Sequence, residues 1–131
     1  MSLMSSLTMF PCNDIVKTAE WYVEKLDFRR VDYLNVKQLH ICLYRDQIEI
    51  ILTSTNGAKV VPNHINYGYG YDAYFITEDG EKLQQKMKDK NVKIIKEVSI
   101  TDYQNQELLI EDCDGRWICF GVKKQEKHDN N

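Results

Sequence analysis

The chain has 131 residues, of which 43% are hydrophobic, and its formal net charge is −3. This length is sufficient for one domain with a substantial core. The slightly acidic balance provides no basic surface for nucleic acid or anionic lipid. No apolar stretch approaches the roughly 18 residues of a membrane span, and the N-terminus lacks a signal-peptide pattern. We therefore expect a cytoplasmic protein without nucleic-acid or membrane partners.

Four cysteines occur without the CxxC spacing of a zinc or redox site, and they are Cys12, Cys42, Cys113 and Cys119. In a cytoplasmic protein such cysteines are usually free thiols that pack like small apolar residues. His40 and His64 also lack recognisable ligand spacing. The sequence therefore predicts free, partly buried thiols and offers no metal-binding motif.

A strand and a helix are predicted near the start of the chain. Residues 6–12 alternate with the period of a strand, which places Leu7 and Met9 on the same face. Asn13 or Asp14 can cap the helix that follows. The apolar residues of this helix recur with helical spacing, and they are Ile15, Ala19, Tyr22, Val23 and Leu26. We expect this apolar stripe to pack on a sheet.

Three antiparallel strands are predicted after the helix, because β-branched and aromatic residues dominate there with short polar breaks between them. The strands cover residues 28–34, 39–44 and 48–53. The break at residues 45–47 predicts a tight hairpin. The first module therefore has the order β-α-β-β-β.

The same order of elements returns after residues 57–70, where glycine, proline and asparagine indicate a linker without a regular element. The second module is predicted as a strand at 71–77, a helix at 79–90 and strands at 92–100, 107–111 and 117–122. The chain thus contains an internal repeat of about 50 residues.

We expect these elements to form one domain over residues 6–122, with module one at 6–56 and module two at 71–122. Residues 1–5 resemble a flexible expression scar. The polar residues 123–131 are expected to be disordered.

Residues 12–28, which end in Leu26-Asp27-Phe28, and residues 112–118, which contain Asp112, Asp114 and Gly115, together resemble the vicinal-oxygen-chelate superfamily, which includes glyoxalase I, bleomycin-resistance proteins and extradiol dioxygenases. The first segment covers residues 12–28 and ends in Leu26-Asp27-Phe28, where that family has "LGF". The second covers residues 112–118 and is similar to the family's "D-P-D-G-N-x-I" turn. The resemblance extends over residues 6–122 and is nearest to the metal-free bleomycin-resistance-like branch.

The resemblance implies an α+β fold, in which two tandem βαβββ modules form a curved, cup-shaped mixed sheet with helices on the outside. It also implies a homodimer with clefts at the subunit boundary. In metal-dependent members of the family, strands of both modules supply the ligands of a divalent ion. The positions that match those ligands are Leu7, Glu49 or Ile51, Tyr71 and Cys119.

These matched positions argue against a metal cofactor of the family type. Leu7 cannot coordinate an ion, and neutral Tyr71 is a poor ligand. Cys119 and Glu49 alone would form an incomplete donor set. As a nucleophile, Cys119 would need a neighbouring base or cation, and the sequence names none. We therefore predict no catalytic residue and no cofactor, with Cys119 as an inert small residue.

Strand parity predicts which side chains face the concave side of the sheet. The predicted ligand-binding residues on that side are Leu7, Met9, Glu49, Ile51, Tyr71, Phe75, Trp117 and Cys119, together with Ala73 as a neighbour. The residues expected to pack under the helices are Phe10, Ile50, Leu52, Tyr74, Ile118 and Phe120. An aromatic set around one carboxylate suits a flat, partly cationic organic molecule.

The sequence favours a binding protein over an enzyme. The leading hypothesis is a metal-free protein that sequesters a small aromatic or cationic organic ligand. The alternative is a metal-dependent, glyoxalase-like lyase or dioxygenase with an altered ligand set. A structural or regulatory dimer is a third hypothesis, which applies if the inward side chains fill a closed core.

Overall fold

The computed structural model describes residues 1–123, which divide into a first unit, residues 1–61, and a second unit from Pro62 onward. Each unit contains one module with its own four-stranded mixed sheet. The predicted α+β class and the two tandem modules are confirmed. No helix in residues 1–123 is long and apolar enough to cross a membrane. Disorder is predicted for residues 123–131. Of these, residues 124–131 lie outside the part of the chain that the structure describes.

The first unit forms one sheet with the strand order β1-β4-β3-β2. Its elements are β1 (Thr8–Cys12), α1 (Ile15–Leu26), β2 (Arg29–Tyr33), β3 (His40–Arg45) and β4 (Ile48–Ser54). Strand β1 pairs with β4 in parallel, and the remaining pairs are antiparallel. A two-residue turn at Asp46 and Gln47 joins β3 to β4, as the hairpin prediction requires.

Helix α1 begins at a side-chain cap and ends at a left-handed residue. The Asp14 carboxylate accepts hydrogen bonds of 3.1 Å from the backbone N–H groups of Val16 and Lys17, so Asp14 rather than Asn13 is the cap. Asp27, with φ of 57°, ends the helix. The helix buries the predicted stripe residues Ala19, Tyr22 and Leu26, and the sheet residues buried in the same core are Phe10, Ile41, Leu43, Ile50 and Leu52.

The register of the first sheet decides which residues lie opposite the helix. Met9 pairs with Ile51, and Ile51 pairs with Cys42 on the next strand. Side chains of paired residues point to the same face, as does Glu49, two residues before Ile51. We call this the open face of the first sheet. The predicted common face of Met9, Glu49 and Ile51 is therefore confirmed.

The second unit forms a sheet with the strand order β5-β8-β7-β6. Its elements are α2 (Asn63–Tyr67), β5 (Ala73–Ile76), α3 (Gly80–Asp89), β6 (Lys93–Ile100), β7 (Gln106–Glu111) and β8 (Trp117–Val122). Helix α2 lies in the segment predicted as a linker without a regular element, so that prediction is wrong for these five residues. Pro62 fixes the backbone where α2 begins, and Gly68, with φ of 78°, ends the helix after little more than one turn.

The faces predicted for strand β5 are reversed in the structure. Tyr74 pairs with Cys119 and Phe75 pairs with Phe120, so Tyr74 shares the face of Cys119. The buried Phe75 ring lies 5.8 Å from the Phe120 ring in the core. The prediction starts the alternation of side chains at Tyr71, but the strand begins only at Ala73, after a bend. The predictions that Phe75 faces the ligand and that Tyr74 packs under a helix are therefore wrong.

Candidate ligand-binding site

A cavity of about 650 Å³ opens on the open face of the first sheet. Its lining residues are Met9, Lys37, Gln38, Leu39, His40, Ile51, Thr53, Ser54 and Asn56. Two of the predicted ligand-binding residues, Met9 and Ile51, are among them. The strand register accounts for the arrangement, because Met9 lies beside Ile51 and His40 lies beside Thr53.

The cavity lining combines exposed apolar side chains with polar groups. Met9 is 58% exposed and Leu39 is 49% exposed, although both are large apolar residues. Binding sites for small molecules commonly have volumes of roughly 300–1,000 Å³ and apolar walls with a few polar groups. The connection between β2 and β3 supplies Lys37, Gln38 and Leu39. Leu39 falls in the strand predicted at residues 39–44, whereas Lys37 and Gln38 fall in no predicted strand.

The His40 ring is held in one orientation by two contacts. Its Nδ1 lies 2.8 Å from the backbone oxygen of Gln38, and the Tyr33 ring stacks on it at 4.6 Å with an angle of 13° between the planes. A carbonyl oxygen can only accept, so Nδ1 carries a proton and donates it. The second nitrogen, Nε2, is left for a ligand or solvent.

The other predicted residues of the first unit lie apart from this cavity. Leu7 precedes β1 and is exposed. Glu49 lies on the open face beside Tyr44, but it is not part of the cavity lining. The structure thus brings Met9 and Ile51 together at the cavity and leaves Leu7 and Glu49 outside it.

The second sheet carries a buried carboxylate that is absent from the predicted site residues. Glu107 is only 7% exposed. Its Oε2 accepts hydrogen bonds from the hydroxyl groups of Tyr74, at 2.8 Å, and Tyr103, at 2.5 Å. Glu107 pairs with Gly121 across the strands. A side chain at Gly121 would overlap the Tyr74 ring, so the glycine makes room for this hydrogen bond.

The turn after β7 contains the sequence signal that could have revealed this contact. Glu111 and Trp117 pair next to the turn. Four residues further from the turn along each strand, Glu107 pairs with Gly121. A charged residue opposite a glycine on a mostly apolar strand indicates a polar partner from elsewhere in the chain. The identity of that partner, Tyr74, follows only from the fold.

The thiol and phenol groups near Glu107 have raised pKa values. Burial, reinforced by the Glu107 charge, raises the pKa of the Cys119 thiol to about 12. The hydrogen bond to Glu107 is the main reason that the pKa of Tyr103 is raised to about 12. Burial is the main cause of the raised pKa values of Tyr71 and Tyr74. At neutral pH these groups are hydrogen-bond donors, and Cys119 is in the environment of an unreactive thiol.

Trp117 is covered on one side by its own chain. The His64 ring stacks on it at 3.9 Å with an angle of 5°, and the indole N–H donates to Glu111 Oε1 at 3.2 Å. His64 Nε2 lies 2.8 Å from the backbone oxygen of Gly115, so helix α2 is anchored to the turn before β8. Only the opposite ring face of Trp117 is therefore free of this stack.

The turn that carries the family resemblance is held by buried charges. Arg116 is 2% exposed, and its Nη1 donates to Asp112 at 3.0 Å and to Asp114 at 2.9 Å. Gly115 adopts a φ of 86°, which glycine reaches without strain. These residues stabilise the turn, which indicates a structural role.

The positions that match the family's metal ligands do not fit a divalent ion. Leu7 has no donor atom. Tyr71 and Cys119 have raised pKa values and are protonated at neutral pH, whereas a metal site needs deprotonated ligands. Glu49 is the one carboxylate of the set. Within residues 1–123, no group of three or more His, Cys, Asp or Glu side chains is arranged to hold a metal.

Comparison with known proteins identifies a family and a fold. The family model described as "Glyoxalase/Bleomycin resistance protein/Dioxygenase superfamily" matches residues 6–120. No curated protein matches the chain. Three similar solved structures are 13–17% identical, and this likeness shows the fold alone.

The first of these structures is UcmS2, with a TM-score of 0.72 and 16% identity over 94% of this chain and 100% of that chain. A superfamily member from Sphaerobacter thermophilus DSM 20745 has a TM-score of 0.71 and 17% identity, over 92% of this chain and 98% of that chain. A glyoxalase/bleomycin resistance protein/dioxygenase from Alicyclobacillus acidocaldarius has a TM-score of 0.71 and 13% identity, over 92% and 91%.

Proposed function

This chain belongs to the glyoxalase/bleomycin resistance protein/dioxygenase superfamily, and we propose that within it the protein binds and sequesters a small organic molecule without a metal ion. The observation that carries the proposal is the cavity of about 650 Å³ on the open face of the first sheet. Its exposed apolar residues, Met9 and Leu39, offer a surface that a ligand would cover. A non-catalytic role is supported by the burial of Cys119, which raises the pKa of its thiol.

The ligand in this proposal has an apolar, preferably aromatic body. Met9 supplies a flexible thioether that adapts to flat ligands and makes favourable contacts with aromatic rings. Ile51 forms the floor of the cavity beside it. The carboxylate expected to attract a cation, Glu49, does not line this cavity.

The alternative function is a metal-dependent lyase or dioxygenase, which the superfamily includes. The chemistry of Leu7, Tyr71 and Cys119 counts against it. It would be supported by stoichiometric, submicromolar binding of Ni²⁺, Mn²⁺ or Fe²⁺ that is lost in a Glu49→Gln variant.

The proposal is tested with chelator-treated full-length protein and a neutral aromatic probe, 2-naphthamide. Titration calorimetry measures the affinity, and shifts of backbone amide resonances locate the site. We expect binding that perturbs cavity residues and weakens in an Ile51→Ala variant. An Ile65→Ala variant removes an equally large side chain that is exposed outside the cavity, and it should bind normally. Absence of binding, or equal losses in both variants, would refute the proposal.

We further propose a homodimer, as the superfamily resemblance implies. Light scattering coupled to size-exclusion chromatography at micromolar concentration tests this point. A mass of one chain, 15.4 kDa, would contradict it.

A further inference from the structure

The cavity on the first sheet is positively charged although the chain as a whole has a net charge of −3. Among its nine lining residues, Lys37 is the only one with a formal charge at neutral pH, and His40 is the only other ionisable group. No Asp or Glu lines the cavity. A ligand that carries a positive charge would therefore meet Lys37 without a compensating carboxylate.

Lys37 has no partner of its own in the described structure. Within residues 1–123, no carboxylate forms an ion pair with it. Most surface lysines remain solvated, so this fact alone indicates little. It gains significance from the position of Lys37 on the rim of a concave, partly apolar surface, where an ion pair is less screened than on a flat surface.

His40 contributes a polar group with a fixed direction. Its Nδ1 is engaged by the Gln38 carbonyl and its ring is stacked on Tyr33, so Nε2 is the nitrogen available to the cavity. With the proton on Nδ1, Nε2 is a hydrogen-bond acceptor.

The hydroxyl groups of Thr53 and Ser54 also line the cavity. Thr53 lies beside His40 across the strand pair. The Ser54 oxygen accepts a 3.0 Å hydrogen bond from the Asn56 backbone N–H, which leaves its own hydrogen free to donate elsewhere. The cavity lining thus offers donors from Lys37 and two hydroxyl groups, together with the apolar side chains of Met9, Leu39 and Ile51.

We propose that the ligand of this cavity is a carboxylic acid with an apolar body, whose carboxylate is bound by Lys37 and by the hydroxyl groups of Thr53 and Ser54. The apolar body contacts Met9, Leu39 and Ile51. This inference rests on the proposed binding function and names its ligand class. It reverses the charge expected from the sequence, because Glu49 is not among the lining residues and the β2–β3 connection brings in Lys37.

The test compares three probes of the same aromatic body and different charge, namely 2-naphthoate, 2-naphthamide and 2-naphthylmethylammonium, with the full-length protein at pH 7. We expect naphthoate to bind about tenfold more tightly than naphthamide, because a charge-assisted hydrogen bond is stronger than a neutral one. The ammonium probe should bind most weakly. Added salt should weaken only the naphthoate complex.

Two lysine variants locate the effect. Lys37→Met should lower the naphthoate affinity to that of naphthamide and leave naphthamide unchanged. Lys59→Met removes the same charge from an exposed residue of the first unit outside the cavity, and it should change neither affinity.

The outcomes separate this inference from the proposed function. If naphthamide binds in the cavity but naphthoate binds no more tightly, or the ammonium probe binds best, the acid inference is wrong and the binding function stands. Equal losses in Lys37→Met and Lys59→Met would also overturn the inference. If none of the probes binds, both proposals fail.

Discussion

Replacing Gly121 with alanine should disrupt the Glu107 network while changing only one methyl group. A Cβ at this position would overlap the hydroxyl group and the adjoining ring atoms of Tyr74. The Tyr74 ring would have to move, and its 2.8 Å hydrogen bond to Glu107 would be lost. Tyr103 would remain the other phenol bonded to that carboxylate.

The expected cost has two parts. Loss of a hydrogen bond to a buried charged group costs about 1.5–3 kcal/mol. Forcing an additional methyl group into a packed site costs about 1–3 kcal/mol. Alanine in a strand regains about 0.5–1 kcal/mol relative to glycine. We therefore expect Gly121→Ala to lower the free energy of unfolding by about 3 kcal/mol, a large share of the roughly 5–15 kcal/mol typical of a domain.

Urea unfolding followed by circular dichroism measures this change, and a double-mutant cycle assigns it to Tyr74. In a Tyr74→Ala background, Gly121→Ala should be neutral or slightly stabilising, because the clashing ring is gone. In a Tyr74→Phe background the ring remains, so only the packing cost should persist. Gly80→Ala is the matched control, since a Cβ there meets its nearest atom, Val98 Cγ2, at an ordinary 3.6 Å. A cost below about 0.5 kcal/mol for Gly121→Ala, unchanged by Tyr74→Ala, would refute the reasoning.

Three further predictions concern the buried charges and thiols. Arg116→Met should destabilise the protein by about 3–5 kcal/mol in urea unfolding, because it leaves the buried Asp112 carboxylate without its cation; Lys93→Met, which breaks an exposed pair, should cost less than about 1 kcal/mol. A thiol reagent at pH 8 should label the exposed Cys113 rapidly and the buried Cys119 only after unfolding, and a Cys113→Ser variant that kept the fast reaction would contradict this. Folding raises the pKa of Cys119 from its ordinary value of 9.0 to about 12, so the contribution of this thiol to stability is fully present below pH 9.0 and is lost as the pH rises to about 12. The free energy of unfolding should therefore fall more steeply over that pH range in the wild type than in Cys119→Ala.

Much of the fold follows from patterns that act over a few residues. The Asp14 cap requires only the two N–H groups that follow it. The alternation along β4 places Glu49 and Ile51 on one face whatever else the chain does. For these reasons the order of the strands and the two long helices was predictable, and the internal repeat supplied the division into two modules.

Less of the candidate site could be predicted. Met9 and Ile51 were placed together correctly, since both lie on regular strands in a fixed register. Lys37 reaches the cavity through the connection before β3, whose path no periodicity describes, whereas His40 begins β3 and is placed beside Thr53 by the strand register. Phe75 was assigned to the wrong face because a single bend before β5 shifts the alternation by one residue.

The sequence by itself therefore determined the superfamily, the module order and the elements whose caps, turns and periodicity are local. Only the tertiary structure decided that Glu107 meets Tyr74, which is 33 residues away in the chain, and that the cavity presents Lys37 instead of Glu49. The physical reason is that hydrogen-bond partners and cavity walls depend on strand pairing and loop paths. Strand pairing and loop paths join residues that are distant in sequence, and a local sequence pattern carries no information about such pairs.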